Sequence, residues 1–176
     1  MLTPTVRRSL APRGRTPILR CWDRHDRISA ISAIAVSPSR RRAGLHFRLL
    51  PDDVNVRGEH TVEFLRELKR ELPVPLTIFW DRGNVHDRSK LVRAYLAEHP
   101  SIETVPFPGY TPEANPDEDV WGYAKHGRLA NFAPGDTDEL RSALVAELER
   151  LHRCPELLAA FIRHAGIPIR LRLSSS

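Results

Sequence analysis

Apolar positions along this chain follow two different periods, and the switches between them mark out its elements. From Ile28 to Val36, the run Ile-Ser-Ala-Ile-Ser-Ala-Ile-Ala-Val is rich in β-branched residues and stops at Ser37-Pro38-Ser39, which predicts a strand ending in a turn. Gly44 to Leu50 has the composition of its hairpin partner. Between His60 and Leu72 the period becomes helical, with Val62, Phe64, Leu65, Leu68 and Leu72 on one side and Pro73 and Pro75 closing the element. The short apolar run Leu76–Trp80 predicts a central, buried strand. A helix is expected from Asp87-Arg88-Ser89-Lys90 to about Pro100, with Leu91, Val92, Tyr95 and Leu96 inward, followed by a strand over Ile102–Phe107. Pro106, Pro108, Pro112 and Pro116 predict an extended loop, because each proline fixes its own φ and restricts the residue before it. A helix then runs through Trp121 to about Arg128.

The remaining chain is expected to be helical. Asp136 stands three residues before Glu139 as in a capping box, and Leu140, Leu144, Leu148 and Leu151 follow at helical spacing as core residues. A last helix is expected from Pro155-Glu156 through Ile162. Strands alternating with helices in this order predict an α/β fold, a mixed sheet flanked by helices.

Composition narrows the class. At 176 residues, 41% hydrophobic and 7% aromatic, the chain is of ordinary globular make-up and suits a single core. Its 27 Lys and Arg against 22 Asp and Glu give a net charge of +5, compatible with an anionic partner such as nucleic acid. Arginines concentrate early, including Arg7-Arg8, Arg13, Arg15 and Arg40-Arg41-Arg42, either as an uneven positive field or as solvated basic loops. Cys21 and Cys154 lack metal-type spacing and are expected to be free thiols. No apolar run reaches the ~18 residues of a membrane span, so a cytoplasmic protein without a membrane partner is expected. A GK[ST] phosphate loop, HExxH and GxSxG are all absent from the sequence, which removes support for the common hydrolase classes.

The candidate chemistry lies in two acids. Asp81 follows the strand Leu76–Trp80, and Glu118 stands in Asn115-Pro116-Asp117-Glu118-Asp119-Val120-Trp121, where a helix opens. Hard carboxylate oxygens on rigid elements suit the metal ions of phosphoryl transfer. If Glu118 opens a helix, Asp117 and Asp119 point elsewhere, because successive helical residues are about 100° apart.

Trp80-Asp81 with His86 five residues on, then Pro106-Phe107-Pro108-Gly109-Tyr110-Thr111-Pro112-Glu113-Ala114-Asn115-Pro116-Asp117-Glu118-Asp119-Val120-Trp121 and Lys125, resembles the catalytic half of mariner-like DDE transposases of bacterial insertion sequences. Arg13-Gly14-Arg15-Thr16-Pro17 is similar to a segment near the start of that catalytic domain, so the resemblance covers about residues 5–168. It implies a ribonuclease H-like fold in which three acids hold two Mg²⁺ ions, with Mn²⁺ able to substitute, for cleavage and strand transfer at mobile-element ends. Asp81 would be the second acid and Glu118 the third, both metal ligands. His86, Asn115 and Lys125 would be supporting or DNA-binding residues, His86 equally suited to a structural hydrogen bond and Asn115 foremost a helix cap. Trp121 is expected to be a core anchor on the side of Glu118. DNA is the implied partner, and a homodimer is compatible.

The family's first acid lies upstream of the Arg-Gly-x-Thr-Pro stretch, whereas here no Asp or Glu precedes Asp23. Asp23 and Asp26 fall after that landmark and have the character of turn residues. The expectation is an amino-terminal truncation removing the first catalytic strand and a helix-turn-helix region, leaving strand transfer weak or absent in this chain alone. The expected division is an extended basic leading segment over 1–16, a partial catalytic domain over 17–135 and a helical extension over 136–176 packed on it. Two alternatives stand beside a transposase domain. One is a non-catalytic DNA-binding or assembly-modulating remnant; the other is a ribonuclease H-like nuclease unrelated to mobile DNA.

Overall fold

The computed structural model describes residues 12–13, 28–81, 88–109, 111–169 and 171. β1 (Ala30–Val36) and β2 (Ala43–Leu49) form an antiparallel hairpin, registered Ala30 to Leu49 and Val36 to Ala43. α1 (Gly58–Glu71) leads to β3 (Leu76–Trp80), and α2 (Lys90–Glu98) crosses over to β4 (Ile102–Pro106), which lies parallel to β3. α3 (Pro116–His126), α4 (Thr137–His152) and α5 (Pro155–His164) follow. Among the described residues the strands therefore make two separate pairs.

Each pair has its own apolar core. Alternation along the hairpin puts Ile34, Ala43, Leu45, Phe47 and Leu49 on one face, against Val120 and Ala124 of α3, Leu140, Leu144, Leu148 and Leu151 of α4, and Leu158 and Phe161 of α5. The leucine ladder of α4 is thus core, as its spacing predicts. The second core gathers Val62 and Leu65 of α1, Val92 and Tyr95 of α2, and Ile102 of β4, with Ile78, Trp80 and Leu96 packed against it. Phe64 and Leu68 of α1 are buried outside both clusters, and ion pairs join the same helix to the hairpin. On the hairpin's other face, Arg48 reaches Glu63 and Glu67 of α1 at 2.7 and 2.6 Å, and His46 meets Glu71 at 2.7 Å.

Several expectations need correction. β3 is half-buried on one face, through Leu76, Ile78 and Trp80, and Phe79 is 51% exposed on the other, beside Phe107. Leu91 is also exposed, because the inward stripe of α2 runs through Val92, Tyr95 and Leu96 and leaves its neighbour about 100° away. The proline-rich loop is not wholly extended: Pro112–Ala114 close a 3₁₀ turn, with Asn115 N–H donating to Pro112 O at 3.0 Å. Proline at the first position of such a turn lacks only an N–H that would have had no partner there. At α4, Asp136 Oδ1 accepts from Glu139 N–H at 2.7 Å as predicted, but Glu139 Oε2 reaches back to Gly135 N–H rather than to the cap's own. The thiol of Cys154, at the start of α5, is free among the described residues, and Cys21 lies outside them. No described helix is long and apolar enough to cross a membrane.

Candidate active site

Three consecutive acids open α3, and the helix sends each to a different place. Pro116 takes the first helical position, and Asn115 caps the helix, its Oδ1 accepting from Asp117 N–H at 3.1 Å. Asp117 turns inward. Its Oδ2 accepts from Ser32 Oγ of β1 at 2.6 Å and from Trp121 Nε1 one turn along at 3.0 Å. Its Oδ1 is buried without a hydrogen-bond partner among the described residues. Burial pushes the Asp117 carboxyl above the usual carboxylate range, while the two hydrogen bonds oppose the rise and the adjacent Glu118 charge adds to it. Asp119 swings toward α5 and meets His164 Nδ1 at 2.8 Å. Glu118, between them, is exposed.

Asp81 is the first residue beyond β3 and is exposed. Trp80 is in register with Pro106, and Phe107 N–H donates to Trp80 O at 2.8 Å. Asp81 and the chain that continues through Thr111 into α3 thus leave the same, carboxyl-terminal end of the parallel pair. That end is where open α/β sheets collect ligands, because several loops converge there on rigid supports. The negative side chains in the first turn of α3 also face the positive end of the helix dipole.

Among the described residues, no three His, Cys, Asp or Glu side chains are grouped to hold a metal ion. His86 lies outside the described residues, as do Asp23 and Asp26. Asn115 acts as the cap its residue type predicts. Lys125 is half-buried in the last turn of α3 and forms no ion pair with a described residue. Trp121 is packed against the larger core, and its indole serves Asp117 rather than Glu118. A shallow groove lined by His46, Glu71, Glu149, His152 and Arg153 includes none of the candidate acids.

The Ser32–Asp117 contact was not foreseen, although its signal is present. Ser32 shares a strand face with Ile34, Leu45 and Phe47, and a hydroxyl on a face otherwise apolar requires a partner from the layer above it.

The family model of the DDE superfamily endonuclease matches residues 1–141. Curated proteins give no significant match. Among solved structures, the Mos1 transposase paired-end complex with left transposon end is similar at a TM-score of 0.56 and 17% identity, covering 93% of this chain and 52% of that one. The Mos1 Strand Transfer Complex is similar at a TM-score of 0.55 and 16% identity, covering 95% of this chain and 52% of that one. The chain thus spans about half the length of the chains it matches. At these identities the likeness establishes a shared fold, and the mixed α/β, ribonuclease H-like expectation holds. With more than half of its residues matched by the family model, the chain belongs to the DDE superfamily endonucleases.

Proposed function

We propose that the chain is a mariner-like transposase catalytic domain, which cleaves and transfers DNA strands at the ends of a mobile element. The observation that carries this is the sorting of the acids on α3: Asp117 and Asp119 are engaged by Ser32, Trp121 and His164, and Glu118 is left exposed in the first turn. Family membership and the fold shared with Mos1 transposase agree with it.

Members of the family generally depend on a divalent metal. Asp81 and Glu118 would hold it here, and their carboxylate oxygens fit a hard cation such as Mg²⁺, with Mn²⁺ as substitute. When bound, such an ion supplies positive charge for the oxyanions of phosphodiester displacement. The chain's own contribution is placement. β3 holds Asp81 at a sheet end, while the Asn115 cap and the Asp117 pin set the first turn that carries Glu118. A second possibility is a non-catalytic DNA-binding or assembly-modulating protein, favoured by the lack of a three-ligand group among the described residues.

Nicking of supercoiled plasmid by the full chain with Mn²⁺, together with Mn²⁺ binding followed by electron paramagnetic resonance, separates the two. Weak metal-dependent nicking is expected, because Asp81 and Glu118 are two of the three acids that the resemblance implies, with Asp81→Asn and Glu118→Gln each abolishing it and weakening Mn²⁺ binding. Nicking that survives either substitution would refute the assignment. DNA binding with neither nicking nor Mn²⁺ binding would establish the non-catalytic alternative.

A further inference from the structure

The connection between β1 and β2 presents three consecutive arginines on a well-defined turn. Ser37 N–H donates to Arg42 O at 2.9 Å, and Arg40 N–H donates to Ser37 O at 2.8 Å. Ser37 Oγ accepts from the N–H groups of Arg41 and Arg42 at 3.2 and 3.0 Å. Arg40 sits in the left-handed region at φ 58°, which costs a non-glycine residue energy and which the surrounding hydrogen bonds hold in place. Arg40, Arg41 and Arg42 are all exposed.

Among the described residues their charges are also uncompensated. Arg48 is paired with Glu63 and Glu67, Arg141 with Asp52, Arg150 with Glu147 and Arg153 with Glu149. The turn arginines have no acidic partner among the described residues. Their place relative to the candidate acids follows from the strand. Ser32, which holds Asp117 beside Glu118, lies on the β1 strand that ends at Val36, just before the turn. At about 3.3 Å per residue, the turn begins roughly 13 Å from Ser32 and its tip lies roughly 15–20 Å away. Phosphates of one strand of duplex DNA advance about 3.4 Å along the axis per base pair, so that span corresponds to about 4–6 base pairs.

We propose that Arg40, Arg41 and Arg42 form a grip on the phosphate backbone of duplex DNA, at the far end of the strand whose Ser32 holds Asp117. The proposal rests on the DNA-directed function above and deepens it by naming a contact surface. Guanidinium groups on a fixed turn engage phosphate oxygens directly, which orients the duplex without reading its sequence.

The test is fluorescence anisotropy of random-sequence duplex DNA with the full chain over a series of KCl concentrations. It compares wild type, the triple substitution R40Q/R41Q/R42Q and the charge-preserving R40K/R41K/R42K, each checked for an unchanged thermal melt. Each phosphate contact contributes about 0.9 to the slope of log K against log salt, so the glutamine variant should lose about 2–3 from that slope while the lysine variant retains most of it. The loss should be the same for unrelated DNA sequences. Binding with a slope that the glutamine variant leaves unchanged would overturn the grip, as would no DNA binding by wild type. A lowered slope in a chain that does not nick DNA with Mn²⁺ would keep the grip and refute catalysis. Nicking with an unaltered slope would do the reverse.

Discussion

Asp117 shows how one buried carboxyl organises the residues around it. Asp117→Ala leaves the Ser32 hydroxyl and the Trp121 indole N–H without their acceptor, and should lower stability by roughly 2–4 kcal/mol in urea denaturation. Asp117→Asn keeps an oxygen for both donors and removes the charge. Because burial raises the folded pKa of Asp117 above its unfolded value of 3.8, its contribution to stability is whole below that pH and is lost as pH rises through the folded pKa. Urea midpoints measured upward from about pH 4 should therefore fall in wild type and stay flatter in Asp117→Asn. Glu118 was singled out by the family resemblance of its Asn-Pro-x-Glu run, since a 100° step per residue alone sets it only modestly apart from its neighbours. The inward role of Asp117 was not, since an acid in a first helical turn is normally explained by the dipole alone.

At the scale of elements, the order of strands and helices was readable because apolar period and proline punctuation agree along nearly the whole chain. The errors fall where tertiary packing decides: which face of β3 is covered, and which residue of α2 stands just off the inward stripe. Helix-to-helix approach was equally invisible. A Cβ placed on Gly58, the first residue of α1, would collide with Ser89 Oγ, the cap of α2. Gly58→Ala should force the two helix starts apart and destabilise by about 1–3 kcal/mol, with the loss appearing as a lowered melting temperature. Ser89 caps α2 through Val92 N–H at 3.4 Å, so amide exchange at the start of α2 should rise in the same variant.

In the molecule as a whole, the hairpin is held by helices that lie mostly beyond the family match. Leu144, Leu148, Leu151 and Leu158 are fully buried, and all follow residue 141. A chain cut after Arg141 should lose cooperative unfolding and near-ultraviolet circular dichroism and should bind an apolar dye, since the hairpin's apolar face would keep α3 but lose α4 and α5. The separation into two cores has an effect on the chemistry as well. Asp81 is carried by the core of β3, α1 and α2, and Glu118 by the core of α3, α4 and α5. Arg48 and His46 of the hairpin pair with the acids of α1, partly exposed contacts each worth about 1 kcal/mol or less. The two candidate carboxylates are thus carried by elements of different apolar clusters, and these ion pairs are a salt-sensitive part of what joins them. With Asp81 and Glu118 sharing a metal as proposed, concentrated KCl or Arg48→Met should weaken Mn²⁺ binding while helix content is still intact.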